Sequence, residues 1–258
     1  MTQHLYIVTG ASRGMGAAIA EQLLVRGHRL LGISRRTNPQ LAQVADAAGA
    51  DCEQWEADLA QPAAVAARLQ AWLTALTALG ALDAPGYASA TLINNAAALT
   101  RIGPIDSVSD DELAMAMRVG LEAPVLLTAA FLRATQGRVG LRRVLNISSG
   151  LSRRAMAGQA TYCAVKAGLD HFTRALALDE AQHPNGARMV SLAPGVIDTD
   201  MQVQLRSADA AGFPERANFQ ALKDKGQLTS PSDAAARVLA YLNRADFGSN
   251  PVADVRDA

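Results

Sequence analysis

The sequence predicts a single α/β domain over residues 1–258, built on a doubly wound parallel β-sheet with helices on both faces. Two observations carry that expectation. Six short aliphatic or β-branched runs alternate with helical patterns across short connections, the arrangement that forms right-handed β-α-β crossovers. No composition shift, low-complexity tract or linker divides the chain.

The elements follow in order. A strand is expected at 5–9, then a helix at 15–26 that stops at Gly27, a residue free to take the left-handed turn of a helix end. A second strand covers 29–34. Pro39, whose fixed φ suits a first helical turn, opens a helix to residue 48, and a third strand falls near 52–57. Pro62 opens an Ala- and Leu-rich helix to residue 79. Residues 81–89, with Pro and Gly, read as a surface loop before a fourth strand at 90–94. One long helix at 110–134, a fifth strand at 139–148, a helix at 161–182, a sixth strand at 188–192 and a helix at 231–243 complete the pattern. The one long irregular stretch, 201–229, is expected to be a lid over a site.

Composition narrows the function. The 24 Lys and Arg residues balance the 24 Asp and Glu residues, which argues against nucleic acid or an acidic membrane as partner. Half of the residues are hydrophobic and 19% are charged, so a core is easily supplied. No uninterrupted apolar run reaches the roughly 18 residues of a bilayer span, and the run at 5–8 is too short for a signal peptide. Cys52 and Cys163 match neither a zinc pattern nor a disulfide framework, so a cytoplasmic location is expected. His4, His28, His171 and His183 share no metal spacing and read as surface or loop residues, so no metal is expected. The arginines of 138–143 read as solvated charges at the start of a strand.

Directly after the first strand stand Thr9, Gly10, Ala11, Ser12, Arg13, Gly14, Met15 and Gly16. The glycine spacing departs from Gly-x-Gly-x-x-Gly but keeps its physics. A turn without Cβ atoms lets a pyrophosphate approach the backbone N–H groups of a helix N-terminus. Gly10, Ser12, Arg13, Gly14, Met15 and Gly16 are therefore candidate dinucleotide ligands. At the end of the second strand, where the adenosine ribose of such a cofactor lies, the chain carries Ser34, Arg35 and Arg36, with no acid before Asp46. A carboxylate there holds the 2′-hydroxyl of NAD, whereas a cation holds a 2′-phosphate. The expected cofactor is NADP(H), with Ser34 and Arg35 as ligands and Arg13 as a second cation. The plain alternative is a tight turn beside solvated arginines.

The chain has three lysines and four tyrosines, and one of each, Tyr162 and Lys166, stand four apart on one face of an expected helix. A cation there is expected to lower the phenol pKa, so that Tyr162 gives a proton to a carbonyl oxygen in reduction or takes one in oxidation. Ser149 falls at the C-terminal edge of the fifth strand, where open parallel sheets bind ligands, and can hydrogen-bond the same oxygen. Cys163 lies about 100° round the helix from Tyr162 and need not face the site.

These marks resemble the short-chain dehydrogenase/reductase family over nearly the whole chain. They are the turn from Thr9 to Gly16, Asp58-Leu59, Asn94-Asn95-Ala96-Ala97, Ser149, Tyr162-x-x-x-Lys166 and Pro194-Gly195-Val196-Ile197-Asp198-Thr199. The resemblance implies a Rossmann-type fold with Tyr162 as acid/base, Ser149 polarising the carbonyl of a small-molecule substrate, and Lys166 holding the nicotinamide ribose. It further implies Asp58 and Leu59 beside the adenine, Asn94 and Ala96 by the cofactor, and Pro194, Gly195, Ile197 and Thr199 around the nicotinamide. A homodimer or homotetramer through the helices at 110–134 and 160–182 is implied as well.

One position departs. Where the family places an Asn, whose backbone carbonyl holds a water linking the lysine to solvent, this chain has Gly120. Pro124 has no N–H to offer the Gly120 carbonyl, which leaves that carbonyl free for the water. The alternative is an impaired relay and a catalytically weak NADP-binding protein that reports redox state. Residues 198–202 and 219–228 resemble the sepiapterin and benzil reductase branch of the family. That implies NADPH-dependent reduction of one carbonyl of a vicinal diketone, or alcohol oxidation in reverse. It also marks Asp254 as the anchor for a pterin, against the alternative of an exposed acid at a strand end.

Overall fold

The computed structural model describes residues 3–80, 82 and 86–257. Among them seven strands pair in parallel: β1 (Gln3–Thr9), β2 (His28–Ser34), β3 (Asp51–Glu56), β4 (Tyr87–Asn94), β5 (Leu141–Ile147), β6 (Arg188–Ala193) and β7 (Val252–Asp254). Their order is β3-β2-β1-β4-β5-β6-β7, so the winding reverses between β1 and β4. That reversal opens a crevice at the C-terminal edge of the sheet, where ligands of doubly wound folds bind.

The period of two explains how the sheet is covered. Tyr6 and Val8 of β1 face one core with α1 (Gly14–Leu23), α2 (Pro39–Ala48) and α9 (Pro231–Leu242). Leu5 and Ile7, their alternates, face a second core with α3 (Pro62–Ala78) and α5 (Ala123–Thr135). With both faces covered, the strand reads as a continuous aliphatic run rather than an alternation. Asn38 caps α2 by accepting from the Gln40 N–H at 3.0 Å, and Gly49 closes it at φ 65°, which accounts for the agreement with the bounds expected at 39–48.

Several expectations are corrected. The long helix expected at 110–134 runs unbroken from Asp110 to Thr135, with a π-helical turn at Arg118–Glu122 between α4 (Asp110–Met117) and α5. Pro124 cannot donate to Gly120, and the ladder slips so that the Ala123 N–H reaches the Arg118 carbonyl. The helical stretch Asp110–Thr135 is long and apolar enough to cross a membrane. It is a core helix: Leu127, Ala130 and Phe131 are fully buried in the second core. The stretch 201–229 is not irregular but carries α7 (Asp200–Ser207) and α8 (Arg216–Asp224). Of the loop expected at 81–89, residues 81 and 83–85 lie outside the described residues, and β4 already begins at Tyr87. The helix expected at 161–182 is α6 (Ala160–Glu180).

Arg142 and Arg143 are buried, against the expectation of solvated charges. Arg142 pairs with Glu180 at 3.1 Å and donates to the Asn185 carbonyl, while Arg143 donates to the Leu242 carbonyl. His4 and His28 are half-buried on neighbouring strands, their rings edge to face at 5.2 Å. No group of three or more His, Cys, Asp or Glu that could hold a metal occurs among the described residues.

Candidate active site

The crevice is lined first by the turn between β1 and α1. Gly14 takes φ 58°, and a Cβ on Gly16 would stand 2.1 Å from the Gly10 carbonyl oxygen, so side chains are excluded where the turn folds back on itself. Arg13 occupies the N-cap of α1 without a side-chain cap, and no acid stands in the first turn. An uncapped helix N-terminus at the C-terminal edge of a parallel sheet suits a diphosphate. Met15 is buried in the first core, so it can offer only its backbone. Arg13 itself reaches across to Asp200 at the start of α7. Thr199, just before α7, lies against the turn, 3.7 Å from where a Gly14 Cβ would be.

At the end of β2, Ser34 is buried with its hydroxyl unpartnered, and Arg35 and Arg36 are exposed beside it. A buried orphan hydroxyl next to two cations fits a phosphorylated ribose. Asp58 binds its carboxylate to the Ala60 N–H at 3.0 Å, and Leu59 is buried in the second core. Gly195 takes φ 85°, and Ile197 bridges to Thr229. The residues of the crevice therefore fit a nicotinamide dinucleotide.

Asn94 is a correction. Its side chain points into the interior, donating to Asn146 at 2.8 Å and Thr128 at 3.2 Å, which binds β4 to β5 and α5. Its neighbour Asn95, which sequence reasoning passed over, touches the turn, donating to the Thr9 carbonyl at 3.0 Å. The Thr9 hydroxyl accepts from the Asn95 and Ala96 N–H groups, so β1 and β4 are clamped where the crevice opens.

Ser149 follows β5, and its hydroxyl accepts from the Leu151 N–H at 3.2 Å. Tyr162 on α6 lies close enough for the Ser149 hydroxyl to pull its phenol pKa down. Lys166, one turn on, is buried, and its ammonium donates to the Ile147 carbonyl at 2.6 Å while standing 5.6 Å over the Tyr162 ring. The sequence therefore brings together the three groups it singled out. The expected fall in the phenol pKa is not met, because burial outweighs what lowers it. Burial pushes the Tyr162 phenol up to about 12, with the Ser149 hydrogen bond pulling it back. Burial also pushes Lys166 down to about 8, against the pull of Asp170.

Gly120 packs against α6: a Cβ there would stand 2.5 Å from Val165 Cγ1, so Val165 fills the space an Asn side chain would need. Asp254 is not a free anchor. Its buried carboxylate accepts from Arg256 at 2.8 and 2.5 Å, from the Arg256 N–H at 3.0 Å and from Arg153 at 3.3 Å, which uses its acceptor sites. Those arginines hold the Asp254 pKa below its ordinary value, Arg256 foremost. Beside Ser149 and Tyr162 lies a separate apolar cluster in which Met156, Leu205 and Phe213 are buried against Leu151, Cys163 and Phe219. Cys163 thus packs on this cluster, to which α7 contributes Leu205.

Comparison with known proteins agrees with this geometry. Residues 4–210 match the family model described as short chain dehydrogenase. The chain is 35% identical over 240 residues to a benzil reductase ((S)-benzoin forming) of Bacillus subtilis, covering 93% of each chain. It is 33% identical over 266 residues to sepiapterin reductase of Bos taurus, covering 98% of this chain and 94% of that one. Among solved structures, a short-chain dehydrogenase/reductase from Burkholderia vietnamiensis shares 35% identity at a TM-score of 0.65, with 98% of this chain and 97% of that one covered. The chain belongs to the short-chain dehydrogenase/reductase family, oxidoreductases that work with nicotinamide cofactors.

Proposed function

We propose that this chain is an NADPH-dependent carbonyl reductase acting on vicinal diketones. One observation carries the reading: Ser149 at the end of β5 and Tyr162 on α6 lie close enough for the serine hydroxyl to pull the phenol pKa down, with Lys166 one helical turn behind, its ammonium on the Ile147 carbonyl at 2.6 Å. Two convergent O–H donors suit a carbonyl oxygen that gains charge during reduction. Ser149 orients that oxygen, and Tyr162 gives it a proton. Lys166 holds the ribose hydroxyls, and Gly10 to Gly16 with Ser34 and Arg35 hold the phosphates. When bound, the reduced nicotinamide supplies the hydride for the carbonyl carbon. The site is microscopically reversible and would oxidise the matching alcohol when the oxidised cofactor prevails.

The apolar wall of Leu151, Met156, Cys163 and Phe213 favours a diketone with aromatic or aliphatic flanks, as in benzil, over a pterin. Asp254, engaged by two arginines, gives a pterin no acceptor. The redox-sensing alternative rests on Gly120 alone. Its carbonyl is denied the usual helical partner by Pro124, which leaves it able to hold a relay water. The setting we propose is the cytoplasm, as a dimer or tetramer, consistent with two free cysteines and an exposed Leu178 on α6.

The test is a panel of benzil, a pterin diketone and a simple ketone, each with NADPH and NADH. Benzil with NADPH should give the highest kcat/KM, and Arg35→Asp should weaken NADPH binding about tenfold more than NADH binding. No cofactor oxidation with any diketone would refute the activity. Equal losses of both cofactors would refute the phosphate assignment.

A further inference from the structure

One buried charge in the molecule has no part in the chemistry above. Asp170 is 2% exposed, inside the protein, one helical turn beyond Lys166 and two beyond Tyr162 on the same face of α6. Its carboxylate oxygen accepts from the Ser148 hydroxyl at 2.5 Å and from the Ser191 hydroxyl at 2.6 Å. Ser148 directly follows Ile147, whose carbonyl holds the Lys166 ammonium at 2.6 Å. The stripe from phenol to ammonium to carboxylate is therefore tied to β5 and β6 at two levels.

A buried carboxylate costs several kcal/mol of desolvation unless hydrogen bonds and a counter-charge offset it. Two hydroxyls supply the bonds, and Lys166 is the cation one turn away. The need runs both ways, because Lys166 is also buried and would otherwise tend to shed its proton. The other elements packed on α6 offer Lys166 no rival charge. The π turn presents Gly120; Asp110, Asp111, Arg118 and Glu122 are exposed; Glu112 is engaged by Arg101 and Ser109. β6 presents Ser191, and on β7 Asp254 is paired with Arg153 and Arg256. On α6 itself the remaining titratable groups are Tyr162 and Cys163 before Lys166, the exposed His171, Arg174 and Asp179 beyond Asp170, and Glu180, which is paired with Arg142.

We propose that Asp170 is a positioning residue for the reaction: its buried carboxylate, fixed by Ser148 and Ser191 one turn beyond Lys166, keeps that ammonium charged and held against the Ile147 carbonyl. Asp170 acts through Lys166 and does not touch substrate. With Val165 filling the space beside Gly120, this side of α6 becomes the polar support of the lysine. The role in turnover rests on the carbonyl reductase reading; the effect on the charge of Lys166 does not.

Only three lysines occur in the chain, so Lys166 can be followed directly by NMR of protein labelled with 13C at lysine Cε, its signal assigned with Lys223→Arg and Lys225→Arg. In the free wild-type protein Lys166 should titrate near about 8. Asp170→Asn keeps the shape and both serine bonds but removes the charge, and should lower that midpoint by about one pH unit or more. Asp170→Glu should restore it to within about 0.3 unit, and Ser191→Ala should lower stability while leaving it unmoved. The alkaline limb of the kcat profile with NADPH and benzil should move down with the midpoint in Asp170→Asn. Should that variant not fold, Asp170→Ser, which keeps an acceptor for Ser148 and Ser191 and also removes the charge, must show the same fall. An unmoved midpoint overturns the proposal and leaves Asp170 a structural tie. Failure of wild-type protein to reduce benzil overturns the activity instead, with the lysine result standing.

Discussion

The two flanks of the crevice are held by charges in opposite surroundings. Behind the substrate position Lys166 and Asp170 are 3% and 2% exposed, on a long helix tied to the sheet by hydroxyls and a main-chain carbonyl. In front, α7 meets the glycine turn through Arg13 and Asp200, each about two-thirds exposed, and α8 reaches back through Lys223 to Asp198 at 2.6 Å. The first set cannot be hydrated or screened, so each member fixes the state of its neighbour. The second set is exposed to solvent and salt, so its ion pairs hold α7 and α8 only weakly. A firmly held helix beside two loosely held ones follows from burial rather than from residue type, since both flanks use the same carboxylates and cations.

The largest effect on stability should come where a buried charge is orphaned. Glu180→Ala leaves Arg142, 2% exposed, with only the Asn185 carbonyl for support, and should cost about 3–5 kcal/mol in urea denaturation. A loss below about 1 kcal/mol would mean that water reaches this pair and that the contrast with α7 and α8 is overdrawn.

Next comes the crowded contact behind the lysine. Gly120→Asn must displace Val165 and should cost about 1–3 kcal/mol, with lower turnover. Adding Val165→Ala should restore the stability. Only this double variant then tests the relay: turnover more than tenfold above wild type would show that the relay is defective, and unchanged turnover that the Gly120 carbonyl suffices.

The smallest effect belongs to α8. Lys223→Ala should lower stability by less than about 1 kcal/mol, raise KM for benzil more than it lowers kcat, and lose its effect in high salt. A fall in kcat with KM unchanged would place α8 in the chemistry rather than in access.

What could be read beforehand divides along the same line. The glycine turn, Ser149, Tyr162 and Lys166 were legible because their roles depend on backbone position and helical spacing, which a sequence displays. Asn94 was misplaced because neighbouring residues at a strand end face opposite sides, and nothing local says which side is the crevice. The helices in this stretch, 201–229, were missed because α7 buries only Gln202 and Leu205 and α8 no residue, and their few apolar contacts come from Phe213 and Met156. Arg142 and Arg143 read as solvated because only the tertiary structure supplies their partners, Glu180 and the Leu242 carbonyl. Asp170 carried a signal that was not used: it repeats the spacing of Tyr162 and Lys166 once more.

The central claim is that the Tyr162 hydroxyl delivers the proton in a site whose cofactor cradle stands apart from it. Steady-state oxidation of NADPH by benzil, measured for wild type and Tyr162→Phe beside a fluorescence titration of NADPH, tests it most directly. Turnover should fall by about 10²–10⁴ while the NADPH Kd changes less than about threefold. A phenylalanine variant that keeps a tenth or more of wild-type turnover would contradict the account.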